Sequence, residues 1–574
     1  MPRPRRGNSA VDAGRTARRR RTLARMTASA NLAALAARTW ERTLELNPTL
    51  ATVYGDERYD DRLDDPGPVG RAARRALADE TLAAAHAIPA TSLDEEDRIT
   101  RDLLRLTAAT EIADDEARMD LIGAVQQQGH QALLPELVQF QKADTPERLE
   151  RLLARLAAYP AMAESVIGLM DEGRAAGLTA ARVVAQRTVD QLERLLAGPA
   201  EASPIVTLPA VAREEDRARI LEAVERHVRP ADARYLEAVR AYLPATRDVP
   251  GLCATPGGAE RYAARVRAYT SLDVGAEELH RIGLEELETI EVARRIIARA
   301  AGFGDDTAAY RAALNADPAE IPPTPAALVE RCSEDVQRAF DAAPAWFSRI
   351  PKAGCEVRAV DPLLEKDAAG AYYYPPTTDG SRNGIYFVNT YDLPSRAYWT
   401  AASTTYHEAV PGHHFQLALE MELHDLPPFR TLGFWPQGTA YVEGWALYAE
   451  LVADEAGLFR SEAERFGMLD GQALRAVRLV VDTGLHAFGW SREKAFETMV
   501  AAGIHPTDAS SETDRYIAWP GQALAYMTGR REIQRLRRER ERREGAAFDI
   551  RRFHDDVLRH GKLPLAILAD VVLA

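Results

Sequence analysis

The sequence predicts a mainly α fold, a large multi-helix assembly with one small antiparallel β-sheet next to a helix suited to hold a metal. Three observations predict it. From about Leu32 to Phe347 apolar residues recur at helical spacing between Pro, Gly and Asn breaks, with almost no alternating run. Between Cys355 and Asn389 the pattern changes to three short β-branched or aromatic runs bounded by Pro, Gly and Asp. Helical spacing then resumes, and its first segment carries three of the chain's twelve histidines.

Taken in order, Leu32 to Leu46 reads as an amphipathic helix that Asn47-Pro48 ends, because Pro lacks an amide donor and restricts the residue before it. Asp60 to Gly70 is an acidic loop. An Ala-rich helix is expected from Arg71 to Ala87, and Ser92-Leu93-Asp94-Glu95 has capping-box spacing for a helix towards Ile112. Thr145-Pro146-Glu147 offers an N-cap hydroxyl followed by Pro at the first helical position, for a helix running to near Glu172. Helical patterns cover Thr179 to Leu196 and Ala212 to Tyr242, pause over Pro250 to Gly258, and resume over Glu260 to Thr270 and Gly275 to Ala301. Thr324-Pro325 starts another towards Phe347. The strand candidates are Glu356 to Val360, Ala371 to Tyr374 and Gly384 to Asn389. Helices are then expected over Arg396 to Leu423, Gly438 to Ala456, Ser461 to Gly484, Ser491 to Ala502 and Glu512 to Leu536. Arg530 to Arg543 is a charge run of the kind that makes a solvated helix face.

At 574 residues the chain exceeds the size at which one core stops growing. Three regions are expected: a basic leader over 1–27 without structure of its own, an N-terminal helical region over 28–350, and a C-terminal metal-site region over 351–574, the last two packed as one unit. The leader holds the run Arg18 to Arg21 and reads either as a basic tail or as residues upstream of an initiator at Met26. Asn31 to Ala37 is too short and too quickly followed by charge to be a secretory h-region.

A formal net charge of −14 argues against nucleic acid as partner, since phosphate binding needs a basic surface. No apolar run approaches the roughly 20 residues of a membrane-spanning helix, so no membrane partner is expected. Cys253, Cys332 and Cys355 are odd in number and widely spaced, which points to a reducing cytoplasm. Ala301-Gly302-Phe303-Gly304 lacks the pattern of a nucleotide loop, and neither Ser381 nor the cysteines sit in a nucleophile signature. The sequence carries no signal of oligomeric state.

The informative stretch is Tyr406-His407-Glu408-Ala409-Val410-Pro411-Gly412-His413-His414-Phe415-Gln416. His-Glu opens the zinc-peptidase arrangement, in which a His four residues later ligates the same metal and the Glu is general base. Here that position is Pro411. On a straight helix positions six apart diverge and positions seven apart lie roughly 10 Å up the axis, so neither His413 nor His414 would share a metal with His407. The Pro411 ring, however, clashes with the carbonyl of His407, and Gly412 permits unusual dihedrals. The helix is therefore expected to bulge at Pro411-Gly412 and bring His413 to the missing position, with His414 as the alternative. The third ligand is expected from the apolar stretch Ala440 to Glu450, where Glu443 would be costly to bury unless paired or metal-bound. Glu450 is the weaker candidate. His424, His486, His505, His554 and His560 lack such company and read as structural.

Together with Val442-Glu443-Gly444-Trp445-Ala446-Leu447-Tyr448, Pro520-Gly521-Gln522-Ala523-Leu524-Ala525-Tyr526, Gly380-Ser381-Arg382 and Gly384 to Asn389, the histidine stretch resembles the signature segments of the bacterial domain-of-unknown-function 885 family. The resemblance covers the chain from near residue 30 to the C-terminus. The family is similar to helical zinc metallopeptidases of the gluzincin kind, and its members are described as candidate peptidases. The resemblance implies zinc (Zn2+) held by His407, His413 and Glu443, with Glu408 as general base and Tyr526 as donor to the oxyanion. The strand from Ile385 to Asn389, with Tyr386 and Asn389, is expected to pair an extended peptide, and Arg382 to meet a carboxylate.

The leading expectation is thus a zinc-dependent hydrolase of peptide or related amide bonds, acting on a peptide or small amide. A second keeps the metal but acts on an amide, imine or ester of a biosynthetic small molecule. A third is a non-catalytic helical binding protein.

Overall fold

Caps and breakers set most of the helix ends. Thr145, Thr324, Ser461 and Ser491 each accept a backbone amide at a helix start, for helices Pro146–Ala175, Pro325–Trp346, Glu462–His486 and Arg492–Ala501. The helix Glu95–Ala117 is capped by Asp94 rather than Ser92: its carboxylate takes the Asp97 amide at 2.9 Å. The computed structural model describes residues 9–574 apart from 127–128, 209–210, 212, 362–364, 366–368, 378–379, 381 and 434–435, so Ser381 lies outside it, as do the side chains of 9–25. It is mainly α-helical with one three-stranded sheet.

Several expected helices differ in extent. The first, Ser9–Leu46, starts inside the basic leader, where composition predicts no structure. The stretch Ala212 to Tyr242 divides into Glu214–Ala223, a wide π turn over Val224–Val228, and Arg229–Tyr242. Glu512 to Leu536 is two helices, Pro506–Ala518 and Ala525–Glu544. Pro520 cannot donate and Gly521 adopts φ +83°, a left-handed turn that stops the first helix and redirects the chain into the second. Beyond that turn the charge run is a ladder of pairs such as Arg535–Glu532, Arg537–Glu541 and Arg542–Glu539, whereas Arg530 is buried. Pro146–Ala175, expected as a helix but not as a membrane-length one, is among the described residues the one helix long and apolar enough by composition to cross a membrane. Its Leu149, Leu152, Leu156 and Tyr159 are buried in a satellite core, the packing of an interior helix.

The largest core joins both ends of the chain: Leu32, Trp40, Leu103 and Leu104 share it with Tyr406, Trp445, Ile533 and Leu568. Within it Thr439–Glu455 and Ala525–Glu544 meet at Gly444 and Gly529, and a Cβ on Gly444 would lie 2.4 Å from the Gly529 Cα.

The sheet comprises β1 (Cys355–Ala359), β2 (Ala371–Tyr374) and β3 (Gly384–Val388) in the order β1-β3-β2. It is mixed rather than wholly antiparallel: β3 pairs in parallel with β1 and antiparallel with β2. Because β3 is central, both of its edges are occupied, and it cannot add a substrate strand.

Candidate metal centre

The expected single helix over Arg396 to Leu423 is two, Tyr398–Glu408 and His413–Met421. Between them the chain loops out through Ala409 to Gly412, and the His414 amide donates to the Ala409 carbonyl at 3.1 Å. Trp445 Nε1 donates to the Pro411 carbonyl at 2.9 Å and ties the loop to helix Thr439–Glu455. A Cβ on Gly412 would lie 1.9 Å from the His407 carbonyl oxygen, so only glycine fits the return.

This break puts His407, at the end of one helix, beside His413, at the start of the next. Their rings stand 4.9 Å apart at 88°. Each Nε2 lies 3.7 Å from Glu443 Oε2, and the donor atoms of the three residues are all within 4.8 Å of one another. Zinc bonds of about 2.0–2.2 Å put tetrahedral donors about 3.4 Å apart, so two imidazoles and a carboxylate at this spacing fit one ion. His413 Nδ1 is buried without a hydrogen-bond partner among the described residues, which leaves the cluster as the ring's polar contact there.

His414 is turned away. Its Nδ1 accepts from the Tyr373 hydroxyl at 2.8 Å and its Nε2 donates to the Ala353 carbonyl at 3.1 Å, so both nitrogens are used. Glu450 does not join the donor set either. It meets His407 Nδ1 at 2.8 Å and accepts from Ser403 Oγ at 3.1 Å, which orients the ring with Nε2 towards the cluster.

The electrostatics follow from burial and pairing. Burial alone would lower the His407 imidazole, but Glu443 and Glu450 outweigh it and push it up to about 9. Burial would raise Glu443, yet His407 and His413 bring it down to about 2. His413 is lowered, chiefly by burial, and burial takes His414 down to about 4.

Glu408 follows His407 directly, is half-buried, makes no hydrogen bond among the described residues, and stands close enough for its charge to act on His413. Tyr526, at the start of helix Ala525–Glu544, is raised by burial and by the charge of Glu443, which places it beside the cluster. Gln522 Nε2 donates to its hydroxyl at 3.5 Å, and the Arg478 guanidinium lies 4.3 Å from its ring centre.

The three residues expected to bind substrate are positioned otherwise. Tyr386 is fully buried on β3, its hydroxyl 3.4 Å from Thr405 Oγ1 under the motif helix. Asn389 is buried and donates to the carbonyls of Glu365 and Ala369, bracing a loop. Arg382 donates to the carbonyls of Pro375 and Asn383 and closes the β2–β3 connection. None offers the strand edge or free guanidinium its expected role requires. Two arginines that the sequence reading passes over, Arg475 and Arg478, do stand beside the cluster. Their signal is two positive charges three residues apart in the apolar run Ala473 to Val481.

Two solved structures share the fold. One, described as a putative lipoprotein from Colwellia psychrerythraea, is 27% identical with a TM-score of 0.86, covering 95% of this chain and 98% of that one. The other, described as a putative lipoprotein of unknown function from Shewanella oneidensis, is 18% identical with a TM-score of 0.76, covering 95% of this chain and 100% of that one. These lipoprotein descriptions overturn the expectation of a cytoplasmic protein. That expectation rested on cysteines, and three free thiols show only that no disulfide forms. No curated protein matches the chain. The family described as "Bacterial protein of unknown function (DUF885)" matches residues 48–572, and the chain belongs to it.

Proposed function

We propose that this protein is a zinc-dependent hydrolase of peptide or related amide bonds. The observation that carries the reading is the convergence of His407, His413 and Glu443 within 4.8 Å, with Glu408 adjoining a ligand and no fourth donor in the cluster among the described residues. A structural zinc site is closed by four protein ligands, whereas a catalytic one keeps a position open. Zinc, when bound there, supplies Lewis acidity and lowers the pKa of a water towards about 7.

The chain's own residues supply the rest. Glu408 takes the proton of the attacking water and returns it to the leaving amine. Tyr526, kept protonated by burial and by Glu443, donates its hydroxyl hydrogen to the oxyanion that develops on the carbonyl. Glu450 fixes the orientation of His407, and Trp445 fixes the loop that carries His413. These roles parallel those that the resemblance to gluzincin-type peptidases implies.

The test is metal analysis of protein purified without added metal, together with digestion of a peptide library. About one zinc per chain and defined cleavage products are expected. His413→Ala is expected to lose the metal and His414→Gln to keep it; zinc lost from both or from neither would refute this ligand set. Glu450→Gln is expected to weaken zinc retention about 10- to 100-fold, measured by competition with a chelator, because His407 loses the carboxylate that orients it. Unchanged retention would reduce Glu450 to a packing residue.

A further inference from the structure

Arg475 and Arg478 stand three residues apart on helix Glu462–His486, beside the cluster, and the hydrolytic steps use neither. Arg478 is 7% exposed, its Nε donating to the Tyr516 hydroxyl at 2.9 Å and its Nη2 to Glu512 at 2.8 Å, while Nη1 has no partner among the described residues. Arg475 is half-buried. Its Nη1 donates to the Gly471 carbonyl at 3.0 Å, its Nε has no partner, and it forms no ion pair among the described residues. A Cβ on Gly471 would lie 3.2 Å from Arg475 Nη1 and 3.9 Å from Glu450 Oε2, so this guanidinium lies near the carboxylate that orients His407 without pairing with it. Its charge acts on both His407 and His413.

Other arginines around the same helix are matched. Arg294 and Arg311 pair with Asp470, Arg465 with Asp454, and Arg530 with Glu286. On the cluster's side Arg478 and Arg515 likewise share the carboxylate of Glu512, whereas Arg475 has no ion-pair partner among the described residues. A guanidinium withdrawn from water without a counter-ion is costly, and its planar fork suits a carboxylate.

Resting on the hydrolase reading, we infer that Arg475, supported by Arg478, receives a carboxylate of the substrate, so that the preferred substrates carry a free carboxylate near the bond that is cut. That carboxylate is either the C-terminal one or an Asp or Glu side chain.

The zinc-loaded full chain is given three sets of otherwise identical hexapeptides: C-terminal acids, C-terminal amides, and C-terminal amides with a central Glu. Cleavage of the acids or of the Glu peptides at least about tenfold faster than the plain amides is expected, and which set is preferred identifies the source of the carboxylate. In Arg475→Gln the preference is expected to collapse, mainly through KM, and in Arg475→Lys to be kept in part. Equal rates for all three sets in the wild type overturn the inference. If no set is cut, the hydrolase reading falls, and the carboxylate site is read from calorimetric binding of N-acetyl-dialanine as acid and as amide. Tighter binding of the acid, by about tenfold and lost in Arg475→Gln, supports it; equal affinities in the wild type overturn it.

Discussion

Glu408→Gln is expected to keep about one zinc per chain and to lower kcat by about 100- to 10,000-fold, the usual contribution of a positioned general base. Glu408 is outside the trio whose donor atoms converge, so replacing it removes no ligand. Glutamine keeps the volume and one carbonyl oxygen but cannot accept a proton near neutral pH, so the change isolates proton transfer. The residue is half-buried and acts electrostatically on His413, and no hydrogen bond ties its carboxylate to another described residue. The measurement is metal content by mass spectrometry beside kcat on the fastest peptide, with melting temperature as a check on folding. Zinc lost in proportion to activity would make Glu408 a ligand instead. Full turnover with zinc retained would take the base away from this residue.

Much of that site is legible in the sequence, because the constraints there are local. Pro411 cannot continue the helix of His407, and Gly412 allows the return, so a break at that point follows from two residues. Which histidine the break brings round does not follow. It depends on Tyr373 and on the Ala353 carbonyl, which hold His414 from elements outside the motif. Glu443 stands out as a carboxylate among apolar neighbours, but the same logic does not separate ligand from orienting group, and Glu450 becomes the latter only through its contact with His407 Nδ1. The substrate residues were the least legible. Tyr386 lies on β3 and Asn389 just past its end, and strand order is a tertiary fact that hydrophobic pattern does not contain. For the helices the limits are similar. Caps one to three residues from their targets are readable, whereas Asp94 competes with Ser92 for the same helix start and wins by geometry alone.

The second large effect concerns the helix crossing that carries Glu443. Gly444→Ala is expected to cost about 3 kcal/mol, the upper part of the range for overpacking a close contact. A Cβ at this position would meet the Cα and carbonyl carbon of Gly529, both at 2.4 Å, and the Arg530 amide nitrogen at 2.8 Å. These are backbone atoms, so no side chain can rotate away and the two helices must separate. Glu443 is on one of them and Tyr526 on the other, so separation moves a ligand and the oxyanion donor apart. Zinc affinity and kcat are therefore expected to fall with stability in the molecules that still fold. Gly168→Ala is the control: it is an exposed glycine inside helix Pro146–Ala175 with nothing within 4 Å of the added Cβ. There the change is expected to stabilise by about 0.5–1 kcal/mol, since Ala restricts the unfolded chain and favours the helix. Denaturant melts of the two variants should move in opposite directions from the wild type. A Gly444→Ala protein as stable as its parent would mean that the crossing has slack, and that the position of Glu443 does not depend on the contact between these two backbones.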